Sequence, residues 1–328
     1  MTPTRTRELA RQARGLALRW LARASSRRVG VVLVHHGVAA ETGDRRTEIV
    51  PPIGRASLER QVRHLARHYA IVPPSALQSA AAARRRGRRI PVALTFDDDL
   101  ASHLTEAAPI LGRAGAVAGF FVSGASLDEP GTFWWEDLQR ALDRGLLAPG
   151  DLDGLPEEVV AAALDGTDRG PARLAEAIEE LTPDARAALA AVLRERAGAP
   201  PPDAGIRRTA LASLAADGHE IGFHTLRHDR MPPLDDPRLA AALEDGRQEV
   251  ESAAGAPLTT ISYPHGRADE RVARAAEAHG FGTGFAGGGT VVTPEDDRLL
   301  LPRVTPVVES PGAFAVQMAR LASGRLAG

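Results

Sequence analysis

The strongest constraint on the fold is a rhythm in the chain. Short runs that are apolar almost throughout alternate with stretches of helical spacing. "VGVVLV" begins at Val29, "PVALTF" at Pro91 and "AVAGFFV" at Ala116. Between them, "SLERQVRHLARHY" sets Leu58, Val62, Leu65 and Tyr69 on one helical face with Ser57 placed to cap it, and "LTEAAPILGRAG" ends at Gly115. A strand that is apolar on both faces is covered on both sides, the condition of a parallel sheet. Repeated βα units of this kind specify a parallel sheet or barrel with helices outside.

The rhythm breaks and resumes. From about 128 to 205 the sequence holds helical segments and no convincing strand, and reads as a helical insertion. The strand runs return with "HEIGFH", "TTISYP", "GTGFAGG" and "LLLPRVTPV". The organisation expected is a basic amphipathic leader helix over 1–28, a barrel over 29–310 carrying the insertion, and a C-terminal helix over 311–328. In the leader, Leu9, Ala13, Leu16, Trp20 and Leu21 share a face, with Arg5, Arg7, Arg11 and Arg14 elsewhere.

Composition excludes several chemistries. The 328 residues contain no cysteine, and all 40 basic residues are arginine. Thiolate metal sites, disulfides, Schiff-base lysines and P-loop lysines are therefore impossible. Any metal must be held by histidine and carboxylate. A net charge of −2 gives no whole-chain case for nucleic acid. No run approaches the ~20 apolar residues of a membrane span, and the leader lacks the apolar core of a signal peptide. A cytoplasmic protein is expected, docked peripherally on the inner membrane face if the leader binds lipid.

In parallel βα folds functional groups gather at the carboxyl ends of the strands. Here those positions carry His35 and His36, the triplet Asp97, Asp98 and Asp99, His224, His265 and Arg303, with His228 four residues beyond His224. A helix starting at His224 would put His224 and His228 on one face, spaced for one cation. Two histidines and a carboxylate leave coordination positions open for water and substrate. A second, adjacent carboxylate can then act as a base. Asp99 reads as a cap on the next helix.

In this order, "TFDD", "HTLRH" and "YPHG" resemble the polysaccharide deacetylases of the NodB-homology type (carbohydrate esterase family 4). "VLVHHGV" resembles the YHxV strand that opens one branch, and "FFVSG" and "LAADGHEIGFHT" fit as well. The resemblance implies an irregular (β/α) barrel of about seven strands. It implies a hydrolase that removes N-acetyl, less often O-acetyl, groups from sugars, with a divalent metal, usually zinc. Carried over, Asp97 is the catalytic base that activates the metal-bound water. Asp98, His224 and His228 are the metal ligands, the backbone N–H nearest His265 is the oxyanion donor, and His36 is the acid for the leaving amine. The arginine that holds the base in many members is missing before "YPHG", where Ser262 stands near its position; Arg303 is the candidate substitute.

Three other readings stand beside this one. A phosphatase could use Asp97 and Asp99 as D-x-D, a glycosidase could use two carboxylates from different strands, and a barrel of weak or no activity could bind carbohydrate. Trp134 and Trp135 read as anchors of the insertion, with sugar stacking the alternative. The run Arg84 to Arg89 reads as a solvated loop, and the glycines of "GFGTGFAGGGT" as a strand and loop. The partner expected is an acetylated sugar, an oligosaccharide, or a lipid- or nucleotide-linked glycan.

Overall fold

The structure is a computed structural model and describes residue 15, residues 23–167 and residues 169–324. Most of the expected leader helix lies outside the described residues. Among them, no helix is long and apolar enough to cross a membrane.

The strands expected from the apolar runs form one parallel sheet. Its path runs β1 (Val31–His35), β5 (Pro91–Asp97), β6 (Gly119–Val122), β7 (Glu220–Phe223), β8 (Thr260–Ser262), β9 (Thr283–Ala286) and β10 (Leu301–Pro302). A short β4 (Ala70–Ile71) pairs with the start of β5, and β2 (Val38–Ala39) pairs separately with β3 (Ile53–Gly54). The two edges meet at a parallel bridge between Leu33 and Val304, which brings the seven-strand path round into a barrel.

Helices wrap the outside: α1 (Arg55–His68), α2 (Leu77–Ala83) and α3 (Ala108–Ala114) in the first half, then α8 (Arg208–Ala216), α9 (Asp236–Glu244), α10 (Arg247–Ala254), α11 (Glu270–Ala278) and α12 (Pro311–Ser323). The first begins at Arg55, so Ser57 lies inside it and not at its cap. Between β6 and α8 come α4 (Trp134–Asp143), α5 (Glu157–Leu164), α6 (Gly170–Glu179) and α7 (Pro183–Ala197). These four have a core of their own, built on Leu138, Val160, Leu174, Ile178 and Leu193. Thr182 caps α7 by accepting from the Ala185 N–H at 3.3 Å. The arginine run is only partly solvated. Arg84 is buried, with its guanidinium donating to the carbonyls of Arg23, Ser25 and Arg88.

Side chains alternate across the sheet. Leu33, Leu94, Phe96, Phe120, Phe223 and Ile261 face the helices and join the main core. Val32, Ala93, Phe121, Phe285 and Leu301 pack together on the opposite, inward face. Full burial of an aromatic ring such as Phe121 contributes on the order of 2–3 kcal/mol. A β-carbon on Gly222 would stand 2.4 Å from the Phe121 ring, so the absent side chain is what admits that ring to the barrel interior. The inward parity continues toward the carboxyl ends through Val34, His36, Asp97, His224, Ser262 and Arg303.

Candidate active site

Strand β5 ends at Asp97, which points inward. A continued strand would send Asp98 outward beside Phe96. Instead Asp98 takes a left-handed backbone, φ 77°, and the chain turns. Both carboxylates thereby reach one site. Such a conformation costs a non-glycine residue of order 1–3 kcal/mol, and strain of this kind concentrates at functional sites.

Asp98 meets His224 and His228, and the potential ligand atoms of the three lie within 4.8 Å of one another. Asp98 Oδ1 is 3.5 Å from His224 Nε2 and 3.6 Å from His228 Nε2. The two histidines do not share a helix, contrary to the expectation from their spacing. They flank a turn in which Thr225 and His228 have φ 61° and 53°. The turn does what the helix was expected to do: it brings the fifth residue back over the first.

The donor set fits a divalent cation. His224 Nδ1 donates to the Ser262 carbonyl at 2.7 Å, which fixes the tautomer and leaves Nε2 as a lone pair facing Asp98. Burial lowers the His224 pKa to about 4 against the pull of Asp97, so the ring is neutral at pH 7. Asp98 Oδ1 is buried with no hydrogen-bond partner. Burial and the charges of Asp97, Glu136 and Asp99 push this carboxyl well above its usual range. A buried carboxyl oxygen without a hydrogen-bond donor, facing two neutral imidazoles, fits a cation between them, whose charge would keep the carboxylate ionised. Two nitrogens and one oxygen suit zinc.

Asp97 is held differently. Arg303 Nη1 donates to its Oδ1 at 2.8 Å and Arg303 Nη2 approaches Oδ2 at 2.7 Å. Ser262 Oγ donates to Oδ2 at 3.0 Å. Burial alone would raise this carboxyl, but Arg303 and His224 outweigh it and hold Asp97 well below the carboxylate range. Arg303 and Ser262 thus share the support of Asp97.

The other strand-end residues divide. His36 lines the same cavity as Asp97, Asp98, His224 and His228, whereas His35 points out to stack on Phe96 at 5.0 Å and meet Gln61 at 3.3 Å. Burial lowers the His36 pKa, and the Asp97 charge opposes this. His265 sits in the turn after β8 with φ 57°, its ring edge-on to His228 at 4.6 Å. Asp99 does not cap a helix. It accepts from the backbone N–H groups of Ser123 (2.6 Å) and Ser126 (3.2 Å) and from both their hydroxyls, tying down the loop after β6. It is thereby committed away from Asp97, and a D-x-D pair is not formed.

The cavity, of about 800 Å³, is walled by the barrel on one side and the helical segment on the other. Trp135 is buried, stacked on Phe133 at 4.3 Å and 4.5 Å from the His228 ring, so it anchors α4 beside the cluster. Trp134 lines the cavity. Glu179 was not anticipated: its Oε2 lies 3.2 Å from His265 Nε2. The available sign was a second stripe on α6, Ala172, Ala175, Glu176 and Glu179, which lines the cavity while Leu174 and Ile178 fill the segment's core.

A parallel barrel here presents an Asp–His–His cluster that could hold a metal ion, with a second aspartate clamped by arginine beside it. Residues 182–284 match the polysaccharide deacetylase family model, a stretch that contains His224, His228 and Ser262. A gellan lyase from a Bacillus species is 39% identical over 62 residues, 19% of this chain and 2% of that protein. Among solved structures, a Streptococcus pyogenes deacetylase in complex with acetate aligns with a TM-score of 0.59 at 14% identity, covering 88% of this chain and 98% of that one. A polysaccharide deacetylase from Bacillus cereus aligns at 0.56 with 13% identity (90% and 69% covered). A de-N-acetylase from Aggregatibacter actinomycetemcomitans aligns at 0.56 with 16% identity (86% and 96% covered). At these identities the structural likeness establishes the fold. The family match over residues 182–284 places that stretch of the chain among the polysaccharide deacetylases.

Proposed function

We propose that this protein hydrolyses acetyl groups, N-linked before O-linked, on a carbohydrate. The observation that carries the reading is the separation of the two aspartates. Asp98 faces the two histidines, while Asp97 is held back by Arg303 and Ser262 at hydrogen-bonding distance. A divalent cation, zinc by the donor set, would be held by Asp98, His224 and His228 and would supply Lewis-acid polarisation of the acyl carbonyl and a more acidic water.

The chain's own residues supply the remaining roles. Asp97, kept ionised by Arg303, takes the proton from the attacking water. The backbone N–H nearest His265 stabilises the oxyanion that develops on the carbonyl oxygen; one such donor is typically worth about 3–4 kcal/mol. His36, just beyond the end of β1 and next to Asp97 on the paired β5, delivers a proton to the departing amine. The substrate in this reading is an acetylated sugar, an oligosaccharide, or a lipid- or nucleotide-linked glycan. The basic leader sequence supports a peripheral position on the inner membrane face; membrane fractionation of the full chain, with and without residues 1–28, tests this part.

Acetate release is the direct test. Chelated protein should release none from N-acetylglucosamine oligomers, and added zinc should restore release. Failure of the zinc-loaded protein on N-acetylated and O-acetylated sugars alike would sink the reading and leave carbohydrate binding without catalysis.

A further inference from the structure

The helical segment reaches the histidine cluster through one buried arginine. Arg186, on α7, is 7% exposed. Its Nη1 donates to Glu179 Oε2 at 3.2 Å, and its Nη2 donates to Asp229 Oδ1. Asp229 directly follows His228 in the chain. Glu179 holds His265, whose ring stands against that of His228. The contacts close a loop from Arg186 through Asp229, His228, His265 and Glu179 back to Arg186.

His228 needs such support more than His224 does. A ligating imidazole is normally oriented by a hydrogen bond on its other nitrogen. His224 has one, to the Ser262 carbonyl. His228 Nδ1 is buried with no hydrogen-bond partner, and its backbone is left-handed. Its ring is set by the packing of Trp135 and His265 and by where its backbone is held.

We propose that Arg186 is a positioning residue for the metal centre. Through Asp229 it fixes the backbone of His228, and through Glu179 it fixes the His265 ring that backs the ligand. The inference rests on the reading of Asp98, His224 and His228 as ligands. It makes the helical segment part of the centre and not only a wall of the cavity. Arginine suits the task because its planar fork bridges two carboxylates in one geometry, which a lysine ammonium cannot do.

Zinc affinity, measured on the full chain by competition with a chromophoric chelator, tests this without any sugar. Arg186→Ala should weaken zinc binding by about 10–100-fold, the range for loss of an outer partner of a ligand. Arg186→Lys should recover part of that loss. Asp229→Ala, which leaves the Arg186–Glu179 pair, should weaken it as well. Adding Arg186→Ala to Asp229→Ala should then cost less than the sum of the two. Folding is followed by circular dichroism. If Arg186→Ala does not fold, Asp229→Ala decides: weaker zinc binding supports the clamp. A folded variant of either kind that binds zinc within about twofold of the parent overturns it. Zinc binding by a parent that releases no acetate would remove the deacetylase reading and leave the clamp to be judged on affinity.

Discussion

The guanidinium of Arg303 meets both oxygens of Asp97, at 2.8 and 2.7 Å, across an interval of 206 residues. Both groups are almost fully buried. Removing one partner of a buried pair leaves an uncompensated charge, at a cost of about 3–5 kcal/mol. Arg303→Ala should lower unfolding stability by that order in urea, while Arg303→Met with Asp97→Asn should recover part of it. A single variant as stable as the parent would show that the pair is not formed in solution.

The two aspartates should separate under the same substitution. Asp97→Asn should cut kcat by about 10²–10⁴, the usual share of a general base, and leave zinc affinity near that of the parent. Asp98→Asn should weaken zinc binding itself. Parallel acetate assays and zinc titrations check this; equal effects of the two variants on affinity would remove the division of roles.

Asp99 should behave as a structural anchor. Its carboxylate accepts from three backbone amides and two hydroxyls in the loop from Ser123 to Ser126. Hydrogen bonds to a charged group are worth about 1.5–3 kcal/mol each, and their loss is not additive. Asp99→Ala should therefore destabilise the fold by a few kcal/mol while the folded fraction keeps its zinc affinity. A large loss of affinity in folded, stable protein would return Asp99 to the active centre.

Glu136 provides a pH test. Burial raises its pKa from 4.5 to about 7, opposed by the Phe133 N–H that donates to it at 2.9 Å. The folded state therefore binds this proton more tightly than the unfolded state. The contribution of Glu136 to stability is therefore greatest below pH 4.5 and is lost as the pH rises through about 7. The full effect is up to about 3 kcal/mol at 1.36 kcal/mol per unit. Glu136→Gln keeps an acceptor for Phe133 and lacks the titration. In chelated protein, its stability advantage over the parent should grow between pH 5 and pH 8; a difference that stays flat would refute the assignment.

The barrel was readable in the chain because a buried parallel strand has a local signature. "VALTF" and "GFFV" are apolar on both faces whatever surrounds them. The Asp98–His224–His228 cluster was readable because Asp98 and His224 directly follow strand ends and His228 lies four residues further on. The means of assembling it was not. The spacing of His224 and His228 suits a helix and a left-handed turn equally, and nothing local distinguishes them. Asp99 looked like a cap because its partners, Ser123 and Ser126, lie on the next strand's loop. Arg186 and Glu179 were hidden for the same reason. A charged residue on an amphipathic helix reads as solvated until tertiary contacts bury it.

The inward parity of the strands ties the chemistry to the alignment of the whole sheet. Side chains repeat every two residues, so a slip of one residue in β5 would turn Phe96 inward and Asp97 out among the helices. The same slip in β7 would remove His224, and in the segment after β10, Arg303. Asp97, His224, Ser262 and Arg303 come from four different strand ends, and each must be in register for the others to find their partners. If the proposed site binds zinc, zinc uptake is a readout of strand register across the barrel, and it should report misalignment in variants whose secondary structure content looks unchanged.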